Sequence, residues 1–323
     1  MRILVFSLDG VFDTGMAVVL DALGMANALS AATGTPSPGE PPPFEVELAG
    51  LKTRVTTALG LHVAAKKARA MPAPDWVVMP AISAATPEAL VQSLELPAVR
   101  EAGAQLRRWQ EEGARIAAAC IGTFLLAESG LLDGREATTT WWLSPLFRRR
   151  YPQVHLDEDR MLVPSGPFVT AGAGMGHLDL VLWLIRQASP ALATLVARYM
   201  LVDGRVSQAP YIIPDHLAHS DPLIERFERW TRANLATGFS LQKAAEALAT
   251  TPRTLQRRAE AVLGKSPLAY FQDRRVERAR HLIETSSMDI EAIAAEVGYA
   301  DGATLRTLLR RRLGRGVREL RAG

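Results

Sequence analysis

A set of helix start and turn signals occurs twice near the end of the sequence. Residues 240–264 align with residues 289–314 once a single insertion is allowed, and each copy reads as a short helix, a tight turn and a longer helix. Residues suited to helix N-caps precede these helices: Ser240 and Thr251 in the first copy, Asp289 and Asp301 in the second. This order predicts two helix-turn-helix units.

The longer helix of each unit is predicted to turn a leucine, Leu255 or Leu305, inward and to expose polar side chains. The side chains expected on the exposed faces are Arg253, Thr254, Gln256, Arg257, Thr304, Arg306, Thr307 and Arg310. Arg and Gln can make bidentate contacts to guanine and adenine edges in the major groove, and Arg also binds phosphate. About 50 residues separate the two helices, so a long intervening helix at 268–285 can hold them in successive grooves about 34 Å apart.

Charge is distributed unevenly along the chain. Residues 226–323 contain 19 Lys and Arg against 11 Asp and Glu, whereas residues 1–225 contain 18 against 23. A basic tail on an acidic body suggests a module for a polyanion. An arginine-rich helix alone is also typical of a solvated surface, but the duplication with matched caps favours DNA binding.

The body of the chain alternates short apolar strands with helical patterns. Four segments bounded by Gly, Pro or Asp read as buried parallel strands: residues 3–8, 45–50, 76–79 and 116–119. Helical spacing covers residues 14–30 and 98–112, and residues 33–43, rich in proline, should form a solvated loop. The predicted fold class is therefore a doubly wound α/β sheet followed by an all-α domain.

This alternation also divides the chain into domains. Residues 1–205 are assigned to the α/β domain and residues 223–323 to the all-helical domain. Residues 206–222, with three prolines and no clear periodicity, read as the linker.

Cysteine usage and hydropathy bear on the compartment. The single cysteine, Cys120, excludes an intramolecular disulfide and a Cys-rich zinc site and agrees with a reducing cytosol. The first apolar run is broken at Asp9, which makes it too short for a signal peptide, and no apolar stretch is expected to approach the roughly 20 residues of a membrane span. We therefore expect a cytoplasmic protein without membrane association.

Cys120 is a candidate site residue because of its place in the predicted fold. It follows the strand at residues 115–119 and precedes a helix, which is where a nucleophile elbow lies. A helix N-terminus can lower a thiol pKa, and ligands of open α/β folds bind at this edge of the sheet. The alternative is a small residue packed in a cramped turn, since free cysteines are commonly buried and inert.

Three further features allow two interpretations each. His177 follows the Gly-rich segment TAGAGMG at a helix start, which favours a tight turn against the sheet over an anion site. His216 and His219 have an i,i+3 spacing, but without a third ligand a solvated linker is favoured, and no metal site is expected. The pair Trp141 and Trp142 should pack in the core or at a dimer contact.

The tail resembles the AraC/XylS-type DNA-binding domain over about its last 85 residues. The resemblance is carried by the segments TPRTLQRR (251–258), GKSPLAY (264–270), RVERAR (275–280) and IAAEVGY (293–299). It implies that the eight exposed residues named above contact DNA. The second unit departs from the family pattern, because Leu305, Leu309 and Leu313 replace the usual phenylalanines and Gly316-Val317 replaces Ser-Pro, although its core should still be apolar.

The front domain resembles the PfpI-like members of the class I glutamine amidotransferase-like superfamily through the segment at residues 120–141, CIGTFLLAESGLLDGREATTTW. This resemblance implies a flavodoxin-like fold. Hydrolases of this family usually carry His directly after Cys, where this chain has Ile121, and an acid near the first strand, for which Asp9 and Asp13 are both available. The hydrolase machinery is thus incomplete, and together the two halves resemble the GlxA-family transcriptional regulators.

This resemblance implies a sequence-specific regulator of transcription with a non-catalytic front domain and no cofactor. The expected partners are double-stranded DNA, a small-molecule effector, RNA polymerase and a second copy of the chain. The candidate effector-binding residues are Cys120, Ile121, Asp13 and His177. Two alternatives stay open: a thiol-dependent amidase or peptidase with a DNA-binding tail, and an oxidation sensor that acts through Cys120.

Overall fold

The structure, a computed structural model, describes residues 1–32, 41–84, 86–202, 205, 207–208, 221–286, 288–313 and 316–321. The chain divides into two compact units, Met1–Gln208 and Ala209–Gly323. Most of the predicted linker, including His216 and His219, lies outside the described residues, as does most of the proline-rich segment at residues 33–43.

The first unit alternates strands and helices from its first residues onward. Its strands are β1 (Arg2–Phe6), β2 (Glu45–Gly50), β3 (Arg54–Thr56), β4 (His62–Ala64), β5 (Lys66–Lys67), β6 (Trp76–Met79), β7 (Arg115–Ala119), β8 (Glu136–Ala137), β9 (His155–Leu156), β10 (Leu162–Ser165) and β11 (Phe168–Ala171). Its helices are α1 (Asp13–Ala32), α2 (Pro87–Leu94), α3 (Pro97–Glu111), α4 (Gly122–Glu128), α5 (Ser144–Arg150), α6 (Gly176–Ala188) and α7 (Pro190–Tyr199), with single 3-10 turns at Ala68–Ala70 and Trp141–Leu143.

Seven strands form one sheet in the order β10-β11-β7-β6-β1-β2-β5. Every neighbouring pair is parallel except β10 and β11, which are antiparallel at one edge. The predicted doubly wound sheet is confirmed, with its four predicted strands adjacent at the centre, although the first strand ends at Phe6 rather than at residue 8. Because β1 lies between β2 and β6, the strand order reverses there, which is the position at which ligands of such folds bind.

Apolar layers cover both faces of this sheet. On one face, Leu4 and Phe6 of β1 pack with Trp109 of α3 and Phe124 of α4. On the other face, Ile3 and Val5 pack with residues of α1, α6 and α7. The alternation of β1 side chains between two buried layers explains why this strand is an uninterrupted apolar run in the sequence.

Helix α1 corrects one expectation drawn from the sequence. Within the described residues it is the one helix long and apolar enough to cross a membrane by length and composition, with a mean hydropathy of 1.4 over an 18-residue window. The sequence interpretation overlooked it because Asp21 and Asn27 interrupt the apolar run without lowering the mean enough. In the fold α1 packs against β1, α6 and α7, and Val19, Leu23 and Ala26 are fully buried.

The described part of the second unit is entirely helical. Its helices are α8 (Pro222–Asn234), α9 (Leu241–Ala247), α10 (Pro252–Leu263), α11 (Pro267–Thr285), α12 (Ile290–Glu296), α13 (Gly302–Leu313) and α14 (Val317–Arg321). The rings that pack around α8 and the start of α11 belong to Phe227, Trp230, Phe239, Tyr270 and Phe271. An aliphatic cluster joins the end of α11 to α12, α13 and α14. One cluster thus lies around α8 and the start of α11 and a second around the end of α11, and α11 contributes to both.

Candidate functional site

Two helix-turn-helix units form the first candidate site, and their local geometry follows the predicted caps. Each of the four predicted capping side chains accepts a hydrogen bond from a backbone N–H in the first turn of its helix: Ser240 from Lys243 at 3.3 Å, Thr251 from Thr254 at 3.1 Å, Asp289 from Ala292 at 2.7 Å and Asp301 from Thr304 at 2.7 Å. The caps predicted from the sequence are thereby confirmed, and they fix where α9, α10, α12 and α13 begin.

Small buried side chains bring the helices of each unit together. Ala244 and Ala245 of α9, like Ile293 and Ala294 of α12, are fully buried. The second residue after the first helix of each unit adopts a left-handed conformation, with a φ of 51° at Ala249 and 81° at Gly298. This reversal directs the chain into the longer helix.

The longer helices orient their side chains as the sequence predicts. Leu255 of α10 and Leu305 of α13 have no exposed surface, and Leu309 is equally buried, so leucines do fill the core where the family uses phenylalanine. Leu313 is only partly buried. On the outer faces, Arg253, Arg257, Thr304, Arg306, Thr307 and Arg310 are exposed.

Within the described chain, Arg253, Arg257 and Arg310 make no hydrogen bond or ion pair, so their guanidinium groups can meet an external anion. Arg306 approaches Glu291 only at 4.0 Å. Thr254 and Gln256 are half-buried rather than exposed: the Thr251 hydroxyl donates to the Thr254 hydroxyl, and the Gln256 amide donates to Glu260. A DNA base would have to replace these bonds at Thr254 and Gln256, whereas the arginines need no such exchange.

The structure adds two arginines that the sequence interpretation did not single out. Arg311 and Arg318 line a groove of about 800 Å³ together with Arg306 and Arg310. This groove lies between the exposed side of α13 and α14. Among the described residues that line it, the one acid is Glu319, which accepts a hydrogen bond from the N–H of Gly316. In the sequence, the run Arg310–Arg312 was the signal for a basic groove here. Helical spacing alone does not show which of these arginines lies next to α14.

The second candidate site is the turn around Cys120 at the carboxyl end of β7. Cys120 has a φ of 56°, as expected of an elbow between a strand and a helix. The elbow is tight because Gly122 lies against the end of β6, where an added Cβ would be 2.3 Å from the carbonyl oxygen of Met79. The Thr139 hydroxyl donates to the Cys120 carbonyl at 2.7 Å and holds the turn from the other side.

The expectation of a lowered thiol pKa at this turn is wrong. Burial raises the pKa of Cys120 to about 11, and the nearby Ile121 N–H and Thr140 side chain only partly oppose this effect. Only 5% of Cys120 is exposed, so the cost of moving a thiolate out of water exceeds the benefit of the short helix that follows.

We expect Cys120 to be slow to alkylate. At pH 8.5 about half of free cysteine is thiolate, whereas a pKa of about 11 leaves roughly 0.3% of Cys120 ionised. Iodoacetamide should therefore modify the folded protein more than about 100-fold more slowly than free cysteine, with a rate that rises as pH increases toward 11. Intact-mass measurements between pH 6 and 10 test this, with urea-unfolded protein as the control, and rapid modification at pH 6 would instead establish an activated thiol.

The other three candidate effector-binding residues have different surroundings. Ile121 occupies the N-cap position of α4 without a side-chain hydrogen bond and is 5% exposed. Asp13 begins α1, where one carboxylate oxygen accepts the Leu59 N–H at 3.0 Å and the other, buried, has no partner among the described residues. His177 is fully buried, its Nε2 accepts the Ala81 N–H at 3.1 Å, and its Nδ1 is 2.6 Å from the Gly174 oxygen.

His177 thus packs inside the first unit rather than facing solvent. Burial lowers its pKa to about 4, which keeps the ring neutral. Gly15 provides the space, since a Cβ there would lie 2.7 Å from Nε2 of His177. These contacts agree with the tight-turn interpretation of the Gly-rich segment. Among the described residues, no group of three or more His, Cys, Asp or Glu side chains is placed to hold a metal ion.

Comparison with known proteins matches residues 244–323 to the family of the helix-turn-helix domain. The chain is 28% identical over 203 residues to the transcriptional regulator CdhR of Pseudomonas aeruginosa, an alignment covering 60% of this chain and 59% of that one. It is 30% identical over 215 residues to the transcriptional regulator GlxA of Rhizobium meliloti, covering 61% and 62%. The alignments thus span about three fifths of these relatives, and the regulator resemblance noted from the sequence is confirmed.

A solved structure also matches the α/β unit. The crystal structure of an AraC family transcriptional regulator from Pseudomonas putida aligns with a TM-score of 0.50 at 22% identity, covering 62% of this chain and 98% of that chain. At this identity the match establishes the fold of the α/β unit, which is the predicted fold class.

Proposed function

We propose that this chain, whose residues 244–323 form a helix-turn-helix domain, is a sequence-specific DNA-binding regulator of transcription of the AraC type. The observation that carries the proposal is the pair of capped helices α10 and α13, which present Arg253, Arg257, Arg306 and Arg310 on exposed faces. Such helices suit successive major grooves, where arginine reads guanine and binds phosphate.

The eight residues predicted from the sequence are the proposed DNA contacts. Their surroundings in the structure indicate which of them suit contacts to bases and which suit contacts to phosphates. Arg253, Arg257 and Arg310, unpartnered within the described chain, suit direct contacts to bases or phosphates. Arg311, in the last turn of α13, and Arg318, on α14, line the groove between these helices and suit contacts to the phosphate backbone.

We expect Arg253→Ala and Arg306→Ala each to weaken binding to the preferred DNA sequence by about 1–3 kcal/mol and to relax the preference if either residue reads a base. The measurement is sequencing of genomic fragments retained by the purified protein, followed by affinity titration at several stated salt concentrations. Arg226→Ala, which removes one exposed charge from α8, is the matched control and should change affinity less.

Two outcomes separate the possibilities. An equal loss on all sequences would identify the substituted arginine as a phosphate contact. Retention of genomic fragments by the unsubstituted protein without a recurrent motif would contradict the proposal, because the tail would then be a general basic anchor.

We assign a non-catalytic sensing and dimerising role to residues 1–205, the linker to residues 206–222 and DNA binding to residues 223–323. The buried, weakly acidic Cys120 and the neighbouring Ile121 support a non-catalytic front domain over an amidase or peptidase. A homodimer would multiply affinity for paired sites. The proposed location is the cytoplasm, where DNA, an effector and RNA polymerase are accessible.

A further inference from the structure

A cavity of about 250 Å³ lies in the first unit at the carboxyl end of β1. Ser7, Leu8 and Asp9 follow β1, Lys52 follows β2, and Ile82 follows β6, so the cavity lies where the strand order reverses. Leu96 and Val99, at the start of α3, line the same cavity. None of the four candidate effector-binding residues, Cys120, Ile121, Asp13 and His177, lines it, so this is a separate site.

The rim of the cavity is held by backbone hydrogen bonds. The Gly10 N–H donates to the Thr56 oxygen at 2.8 Å, and the Ser83 N–H donates to the Gly10 oxygen at 2.8 Å. These bonds join the loop after β1 to the end of β3 and to the segment that follows β6. The cavity is therefore formed before any ligand arrives, as is usual for sites that bind small molecules.

The polar groups of the cavity favour an anionic ligand. Asp9 is already satisfied, because it accepts the Thr56 N–H at 2.9 Å and pairs with Lys52 at 3.0 Å. Arg54 is exposed and makes no ion pair or hydrogen bond among the described residues, although it is near enough to Asp9 to help lower the pKa of that carboxyl. The cavity thus has two cations, Lys52 and Arg54, for one acid, and the guanidinium group keeps its hydrogen-bond donors for a ligand.

The rest of the cavity lining is mainly apolar. Ser7 also lines the cavity, but its hydroxyl offers no polar contact there, because the residue is 1% exposed and its Oγ is inaccessible to solvent. The remaining walls are mainly aliphatic and come from Leu8, Leu51, Val55, Ile82, Leu96 and Val99.

We propose that this cavity binds a small organic acid, with its carboxylate on Arg54 and its hydrocarbon body against the aliphatic walls. The guanidinium group suits a carboxylate because its planar N–H groups can donate two parallel hydrogen bonds. The cavity, with the liquid volume of about eight water molecules, limits the ligand to a small metabolite. This proposal names the class of ligand for the sensing role proposed above. Ligand binding in this cavity would regulate transcription only if the front unit has that role.

Calorimetric titration of the full chain tests the assignment. The probes are straight-chain carboxylates from propionate to octanoate and benzoate, with hexanamide, benzamide and hexylamine as matched compounds. At least one acid should bind, and at least about tenfold more tightly than its amide, since a hydrogen bond to a charged group is stronger than one to a neutral group. Arg54→Gln should weaken the binding of that acid by about tenfold or more. Ala98→Trp, which adds a large ring to an exposed residue that lines the cavity, should abolish binding.

Arg69→Gln, which removes an exposed arginine outside the cavity, is the control and should leave binding unchanged. The proposal is overturned if no acid binds when it is present at 10-fold excess over protein at millimolar concentration. It is also overturned if the amide or the amine binds with the same affinity as the acid, or if Arg54→Gln leaves the affinity for the acid unchanged. Loss of acid binding in Cys120→Ser but not in Arg54→Gln would place the ligand at the elbow instead. Because the titration contains no DNA, its failure leaves the DNA-binding proposal untouched, and the reverse holds.

Discussion

Replacing Gly298 with alanine is expected to destabilise the second helix-turn-helix unit by about 2–5 kcal/mol. Two costs combine: a left-handed φ of 81° disfavours any Cβ, and the added Cβ would lie 2.5 Å from the Leu235 oxygen and 2.9 Å from the Ala236 oxygen. Arg275 prevents an easy escape, since its guanidinium donates to the same Leu235 oxygen at 2.6 Å and covers the Tyr299 ring.

The first unit supplies the matched control. Ala249 occupies the corresponding turn with a φ of 51°, so Ala249→Gly should be close to neutral or slightly stabilising, as relief of strain offsets the greater entropy of an unfolded glycine. Hydrogen exchange of the amides in α12 and α13 measures the effect, and their protection should fall more than tenfold in Gly298→Ala. Unchanged protection would show that the turn can adopt another conformation without cost.

Replacing Leu305 with alanine is expected to cost about 2–5 kcal/mol and to remove sequence selection by α13. Leu305 is fully buried against the cluster that includes Ile293 and Leu309, so truncation loses apolar contacts and leaves a cavity. The helix that carries Arg306 and Arg310 would then lose its fixed orientation, and base contacts depend on that orientation. Urea unfolding and fragment sequencing measure the two effects.

Arg306→Ala separates stability from recognition. Its side chain is more than half exposed, so the free energy of unfolding should stay within about 0.5 kcal/mol of the unsubstituted protein while DNA preference changes. If Leu305→Ala were destabilised yet kept full sequence preference, α13 would not be a recognition helix. If it kept full stability, the leucines would not be equivalent to the family's core phenylalanines.

The helical unit could be predicted closely from sequence because its signals are local. A capping oxygen, a proline in the first turn and a left-handed residue at the turn act within four residues of one another, so the positions of Ser240, Thr251, Asp289 and Asp301 are enough to set the helix starts. The short apolar runs bounded by Gly, Pro or Asp are equally local signals, which is why the four central strands β1, β2, β6 and β7 were predictable.

The chemistry of the front unit was not predictable in this way. The position of Cys120 at a strand-helix turn followed from the sequence, but its raised pKa depends on burial by elements that are distant along the chain. The same is true of the cavity beside β1: Ser7, Arg54 and Val99 come together only because the strand order places β2 and β6 on either side of β1.

The two-part architecture, the duplicated helix-turn-helix and the identity of its inward and outward residues are encoded locally, because caps, turns and periodicity are short-range properties of the chain. Which polar groups are available to bind a ligand depends instead on the folded arrangement of distant segments. The desolvation of Cys120 and His177, the pairing of Asp9 with Lys52 and the free guanidinium of Arg54 all depend on contacts between residues far apart in sequence.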